Sequence, residues 1–335
     1  MLSKQKAASH KQRGMALVLA LMAVSFLAAI TVQLFSTVNW QMEAAGSMGE
    51  SIALDAMTRS ALNLARAALY ADQQENTYDS FYDSWHTLEP ELIANLMGTG
   101  RLAITVEDLS GRLQVNALVA ADKEPNKAQH ESRQRELWLR FLTSGKFAVE
   151  SSEKAEELLD AIQDWIDKDD NERDKGAESG YYHGQNPPYN AHNGPVAYPE
   201  ELLLIRGMTP ELFYGNKQYL GLSRFVSVAG RDGKVNLNSA PQELISSLAE
   251  GIDDEAAGKL VEFRQEKDNR EALATPEWYK QELPGVEIPK ELLTSKSQYF
   301  LVKATADNGG VVRTGTGIVY RNDSREQQLL YWEVR

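Results

Sequence analysis

The sequence predicts an α+β fold in which a long N-terminal transmembrane helix packs on a small antiparallel sheet. A large, mainly helical domain is inserted between the strands of that sheet. Three observations predict it. No residue from Gly14 to Met42 is charged. Segments with strand-like alternation stand at 101–107 and again near the C-terminus, at 299–306, 311–320 and 328–334. Most of what separates these segments carries helix-like apolar spacing, broken by polar and Pro/Gly-rich stretches.

The N-terminal element comes first. Residues 1–13 carry Lys4, Lys6, Lys11 and Arg13 and no acid, and an apolar run follows at 15–38. At about 1.5 Å per residue that run makes a helix of roughly 36 Å, enough to cross a bilayer. Bases before the span and Glu43, Glu50 and Asp55 after it place the N-terminus in the cytoplasm and the rest outside it. A cleaved secretory signal would have a shorter apolar core and a nearby small-residue cleavage site. Here the Ala/Gly cluster at 43–46 follows a polar break. A plain signal anchor fits the same pattern. Beyond the span, Leu54, Met57, Ala61, Leu64 and Ala68 recur every three or four residues, which predicts one helix running from about Met15 to Tyr70 with an amphipathic outer half.

The strands come next. Asp307-Asn308-Gly309-Gly310 between the second and third is a strong hairpin signal. In the interval, segments 129–142, 152–165, 198–205, 240–248 and 256–265 are expected helices, and 176–199, rich in Gly and Pro, is an expected loop. Gly111-Arg112-Leu113-Gln114-Val115-Asn116 is echoed by Gly233-Lys234-Val235-Asn236-Leu237-Asn238, a repeated turn–strand unit in which Asn238 or Ser239 is placed to cap the next helix.

Charge limits the partners. The formal net charge of −13 argues against nucleic acid, whose phosphates need clustered Lys and Arg, and the absence of cysteine removes disulfides, thiolate metal sites and cysteine nucleophiles. The five histidines, His10, His86, His130, His183 and His192, form no ligand pair on a helix, and no hydrolase triad is legible. An anchored extracytoplasmic hydrolase therefore has little support. Segment 235–264 resembles the helix-hairpin-helix of DNA-uptake proteins. Its hairpin is Gly251-Ile252-Asp253-Asp254-Glu255, which sets carboxylates where phosphate would lie, so a DNA receptor is the weaker alternative.

Lys11-Gln12-Arg13-Gly14-Met15-Ala16-Leu17-Val18-Leu19 resembles the leader of pilins and pseudopilins. The resemblance implies cleavage between Gly14 and Met15 by a prepilin peptidase, with methylation of the new N-terminus. Family members mostly carry Glu at the fifth mature position, where this chain has Leu19. That departure, together with a helical domain inserted into a pilin-type sheet, resembles the minor pseudopilin K family of type II secretion. The implied organisation is a leader at 1–14, a membrane helix at 15–42, a spine and first strand at 43–107, an inserted domain at 108–297 and closing strands at 298–335. The implied function is non-catalytic. The protein would cap the tip of a periplasmic pseudopilus beside minor pseudopilins I and J, contact other pseudopilins through its N-terminal helix in the inner membrane, and serve export of folded proteins.

One constellation carries candidate chemistry. Counting from Asp167, oxygen ligands fall at positions 1, 3 and 5 (Asp167, Asp169 and Asn171), and Glu178 falls at 12, the spacing of a calcium-binding loop. Position 6 is Glu172 rather than Gly, and no helix is expected after Glu178, so an EF-hand is excluded. Spacing alone fits a solvated acidic loop equally well. The segment also resembles the Asp-Trp-Ile-Asp…Gly-Ala-Glu…Tyr-Tyr signature of the K family, which implies calcium as its ligand.

Overall fold

The structure, a computed structural model, describes residues 4–88, 101–121 and 126–335, with side chains from Gly14 onward. The side chains of the basic leader, Lys4 to Arg13, lie outside the described residues. Helix α1 spans Lys4–Glu75, 72 residues without a proline, and so extends past both expected ends. Asn76 stops it by bonding Asp72 through both its backbone N–H and its side chain, each at 2.8 Å. One stretch of α1 is long and apolar enough to cross a membrane, with a mean hydropathy of 2.6.

Burial along α1 begins at Leu54. The buried residues are Leu54, Thr58, Ala61, Leu62, Ala65, Leu69 and Asp72, spaced four, three, one, three, four and three. This corrects the expected stripe: Leu54 and Ala61 belong to it, whereas Met57, Leu64 and Ala68 lie half-buried on its flank. Apolar spacing misplaced it because two members are polar. Thr58 satisfies its hydroxyl on Asp55 O at 2.8 Å, and Asp72 is held by ion pairing. The small residues let the sheet come close, and Gly315 completes the fit. A Cβ on Gly315 would stand 2.3 Å from the Trp332 ring and 3.1 Å from Thr58 Cβ.

The sheet has four antiparallel strands in the order β1–β2–β3–β4: β1 Arg101–Asp108, β2 Tyr299–Asp307, β3 Val312–Arg321 and β4 Gln327–Val334. β1 pairs with β2 from Arg101↔Asp307 to Asp108↔Phe300, so the chain leaves the sheet after β1 and returns beside it. The expected hairpin joins β2 to β3, where Asn308 Oδ1 accepts from the N–H groups of Gly310 and Val311, and Gly309 adopts a φ of 88°. Val106, Phe300, Val302 and Val319 alternate onto one face and meet Leu62, Ala65, Leu69 and Trp85.

Between β1 and β2 lies a second, larger core, which includes Trp138, Phe141, Phe147, Trp165, Phe213 and Trp278. Helices α2 Lys127–Leu142, α3 Ser152–Ile166 and α4 Asp254–Gln265 lie within a turn of the expected segments. Two other expectations are corrected. Segment 198–205 forms a 3₁₀ stretch, Pro199–Leu204, and 240–248 contains only the single turn Gln242–Ile245. The repeated turn–strand unit forms twice, as Leu113–Gln114 paired in parallel with Val226–Ser227 and Val235–Asn236 with Leu293–Thr294. Neither Asn238 nor Ser239 caps a helix, and the echo explains why. Asn116 and Asn238 occupy equivalent positions and are both buried clamps. Asn116 binds Val196 and Val228, while Asn238 binds Asp79 O, Leu273 O and the Trp278 indole N–H.

Candidate functional site

Among the described residues, one set of three carboxylates brings its oxygens within 4.8 Å of one another: Asp72, Asp79 and Asp83, where the two cores meet. Every oxygen already has a donor. Asp72 accepts from Asn76 and, at 3.2 Å, from Arg321 Nη1. Asp79 accepts from Arg321 Nη2 and, at 2.7 Å, from the Ser297 N–H. Asp83 accepts from Asn76 Nδ2 and, at 2.6 Å, from the Ser80 N–H. Arg321 also binds Leu69 O at 2.9 Å and lies 4.7 Å over the Phe300 ring. Burial lifts the Asp79 carboxyl to about 7 against the pull of Arg321, and lifts Asp83 to about 6. Beside this group, Asp108 Oδ2 receives Ser239 and Ser297 at 2.5 Å and Asn236 at 3.0 Å. Asn236 and Asn238 also hold the backbone oxygen of Asp79. Arg321 neutralises Asp72 and Asp79, and the network ties the end of α1, the sheet and the inserted domain together.

The acidic loop is different. Helix α3 is capped by Ser151, whose side chain accepts the Lys154 N–H, and packs its Ala155, Leu158, Leu159 and Ile162 into the core. Its C-cap is Asp167. Asp164 stands on the opposite, acidic side of α3, in line with Glu153, Glu157 and Asp160, yet its side chain is 0 % exposed because the loop folds over it. Arg173 Nη1 reaches Asp164 Oδ1 at 2.6 Å and Asp167 Oδ2 at 2.5 Å. Gly176 packs so tightly that a Cβ would lie 1.8 Å from Asp164 Oδ2.

The expected residues divide into two groups. Asp167 and Glu178 are brought to this buried centre. Asp169 Oδ1 accepts both the backbone N–H and the side-chain amide of Asn171, at 3.0 and 2.5 Å, on the exposed rim. Glu178 is 4 % exposed, and neither of its oxygens has a hydrogen-bond partner; Asp167 Oδ1 is likewise buried without one. Burial, with Asp164, Asp167, Asp170 and Asp169 around it, pushes the Glu178 carboxyl up to about 8. Contrary to expectation a helical turn, Ser179–Tyr182, follows Glu178, which leaves Glu178 at its N-cap position without a capping bond. The residue that the sequence reading missed is Asp164. No sequence signal singled it out, because it lies on the acidic side of α3 and is buried only by the loop that folds back over it.

Between 164 and 178 the chain carries seven carboxylates and three cationic side chains. Unpartnered buried carboxylate oxygens are costly. A hard divalent cation is the ligand that this all-oxygen donor set fits. At the other end of α1, Gly14 and Met15 lie within an uninterrupted helix, and Met15 is 65 % exposed.

A helix with an exposed apolar half, packed farther along on an antiparallel sheet that a large domain interrupts, defines a pilin-like subunit with a membrane-length anchor. The family model described as type II secretion system protein K matches residues 111–230, a stretch that contains the acidic loop. Type II secretion system protein K of Aeromonas hydrophila is 25% identical over 310 residues, covering 90% of each chain. The Pseudomonas aeruginosa protein of the same name is 30% identical over 208 residues, 60% of this chain and 57% of that one. The fold matches a chain of the solved GspK-GspI-GspJ complex from the type 2 secretion system of enterotoxigenic Escherichia coli. That match has a TM-score of 0.64 at 18% identity and covers 86% of this chain and 98% of that one. The chain is thus similar to type II secretion system protein K along most of its length, and its fold is that of the solved chain.

Proposed function

We propose that this protein is a non-catalytic minor pseudopilin that caps the tip of a pseudopilus, beside pseudopilins of the I and J types. One observation carries the reading. α1 is buried only from Leu54 onward, while its first half turns large apolar side chains outward, among them Leu19, Phe26, Val32 and Phe35 at 59 % exposure or more. Such a surface is stable in a bilayer or against similar helices. Leu19 carries no carboxylate to pair with the N-terminal amine of a neighbour, which suits a subunit with none above it. The N-terminus faces the cytoplasm and the head the periplasm. The solved relative's complex with GspI and GspJ supports the choice of partners.

Processing tests the reading. The protein extracted from membranes is expected to begin at an N-methylated Met15 when its N-terminus is measured by mass spectrometry. An intact Met1, or a cut near Gly46, contradicts a prepilin-type leader.

Calcium is the ligand of the acidic loop in this reading, held by Asp167, Asp169, Asn171 and Glu178 together with Asp164. When bound it supplies the positive charge that lets these carboxylates share one buried centre. Nucleic acid is not a partner. In the hairpin, Asp253 caps α4 by accepting the Ala256 N–H, and Asp254 and Glu255 pair with Lys146 and Lys259. Arg264, at the end of α4, is buried against Leu237 O and the Phe81 ring and so is not presented to a phosphate.

A further inference from the structure

We propose that Arg173 is an internal counter-cation that competes with calcium for the acidic loop, an inference that rests on the calcium reading above. Three observations combine. Nη1 of Arg173 spans Asp164 Oδ1 at 2.6 Å and Asp167 Oδ2 at 2.5 Å, so one guanidinium neutralises one side of the centre. Glu178 and Asp167 Oδ1 face the same centre with no donor at all. The nitrogen that serves Asp164 and Asp167 does not extend to them, so the charge demand of the site is only partly met.

The third observation concerns the backbone. Arg173 N–H donates to Asp164 Oδ2 at 3.2 Å, and Gly176 N–H donates to Arg173 O at 2.9 Å. The turn is therefore held by bonds that do not involve the guanidinium. The Arg173 side chain is 30 % exposed, so its charged end has a path to solvent that leaves the turn intact. A divalent ion drawn to Glu178 and Asp167 repels an adjacent guanidinium, and the two cannot share Asp167 at full strength. Calcium entry thus exchanges two charge-assisted bonds of Arg173 for metal–oxygen contacts. When calcium is scarce, Arg173 keeps Asp164 and Asp167 neutralised and the loop folded. The same bonds set a threshold that calcium must exceed.

The test is calorimetric titration of the full-length chain in detergent with calcium chloride, alongside thermal melts in calcium and in chelator. Arg173→Met is expected to bind calcium at least about tenfold more tightly, since two charge-assisted bonds no longer oppose it. It should melt below the parent in chelator and close to it in saturating calcium. Calcium binding that is unchanged or weaker, in a variant whose calcium-saturated melt matches the parent, overturns the proposal. If Arg173→Met does not fold, Arg173→Gln carries the test. It removes the competing charge and keeps a polar end, so tighter binding is again expected, and unchanged or weaker binding overturns the idea. A silent parent beside a binding variant shows the competition in its strongest form. If parent and variants all show neither binding heat nor a calcium-dependent melt, the calcium reading falls and the competition with it.

Discussion

Replacing Arg321 with methionine is expected to destabilise the folded chain by about 3–5 kcal/mol, because it strands buried carboxylates without their cation. Arg321 and Asp79 are each 4 % exposed at the side chain and Asp72 is 1 % exposed, so water cannot take over the role. The loss should depend on pH with a defined sign. Burial raises the Asp79 carboxyl, and without Arg321 only the Ser297 N–H among its principal partners opposes that rise. A carboxyl raised in the folded state contributes stability below its unfolded value, and that stability is lost as pH rises through the folded value. The deficit of Arg321→Met should therefore shrink as pH falls from 8 towards 5. Urea unfolding at several pH values, read by tryptophan fluorescence, measures it. Adding Asp79→Asn to Arg321→Met should recover part of the loss at pH 8, and an additive further loss would refute the charge argument.

That network shows where sequence reading stops. The sheet was legible because alternation and the 307–310 turn are local signals, and each strand falls within a residue or so of its expected bounds. Helices α2, α3 and α4 were legible for the same reason. The binding stripe of α1 was not, because Thr58 and Asp72 sit in it and their partners are supplied by the fold. Arg321 meets Asp72 across 249 positions and Asp79 across 242, a pairing that no spacing rule encodes. The echo between 111–116 and 233–238 was visible, but the clamping role of Asn116 and Asn238 depends on loops brought from elsewhere. In the acidic loop, spacing picked out Asp167 and Glu178, whereas Asp164 and the opposing guanidinium of Arg173 emerge only when α3 is packed.

Removing calcium is expected to lower stability as well. A ligand that binds only the folded loop stabilises by about 2.7 kcal/mol at a hundredfold excess over Kd, so chelator should lower the Tm of the full-length chain in detergent. Magnesium should restore it poorly, because it demands a tighter octahedral shell. Glu178→Gln gives a signature of opposite signs. It should abolish most of the calcium-dependent rise, yet melt at or above the parent in chelator, since it deletes a buried carboxylate with no partner. Asp174→Asn, on the exposed side of the loop, should change neither melt. Identical melts of the parent in calcium and in chelator would return the segment to a solvated acidic loop.

The proposal that this chain acts as a tip subunit is tested most directly by isolating the protein from membranes that also contain pseudopilins of the I and J types. Affinity capture of this chain in mild detergent, followed by mass measurement of the intact complex, is predicted to yield one assembly containing all three chains. Recovery of this chain alone, with both partners present in the same membranes and absent from the captured material, would contradict the account.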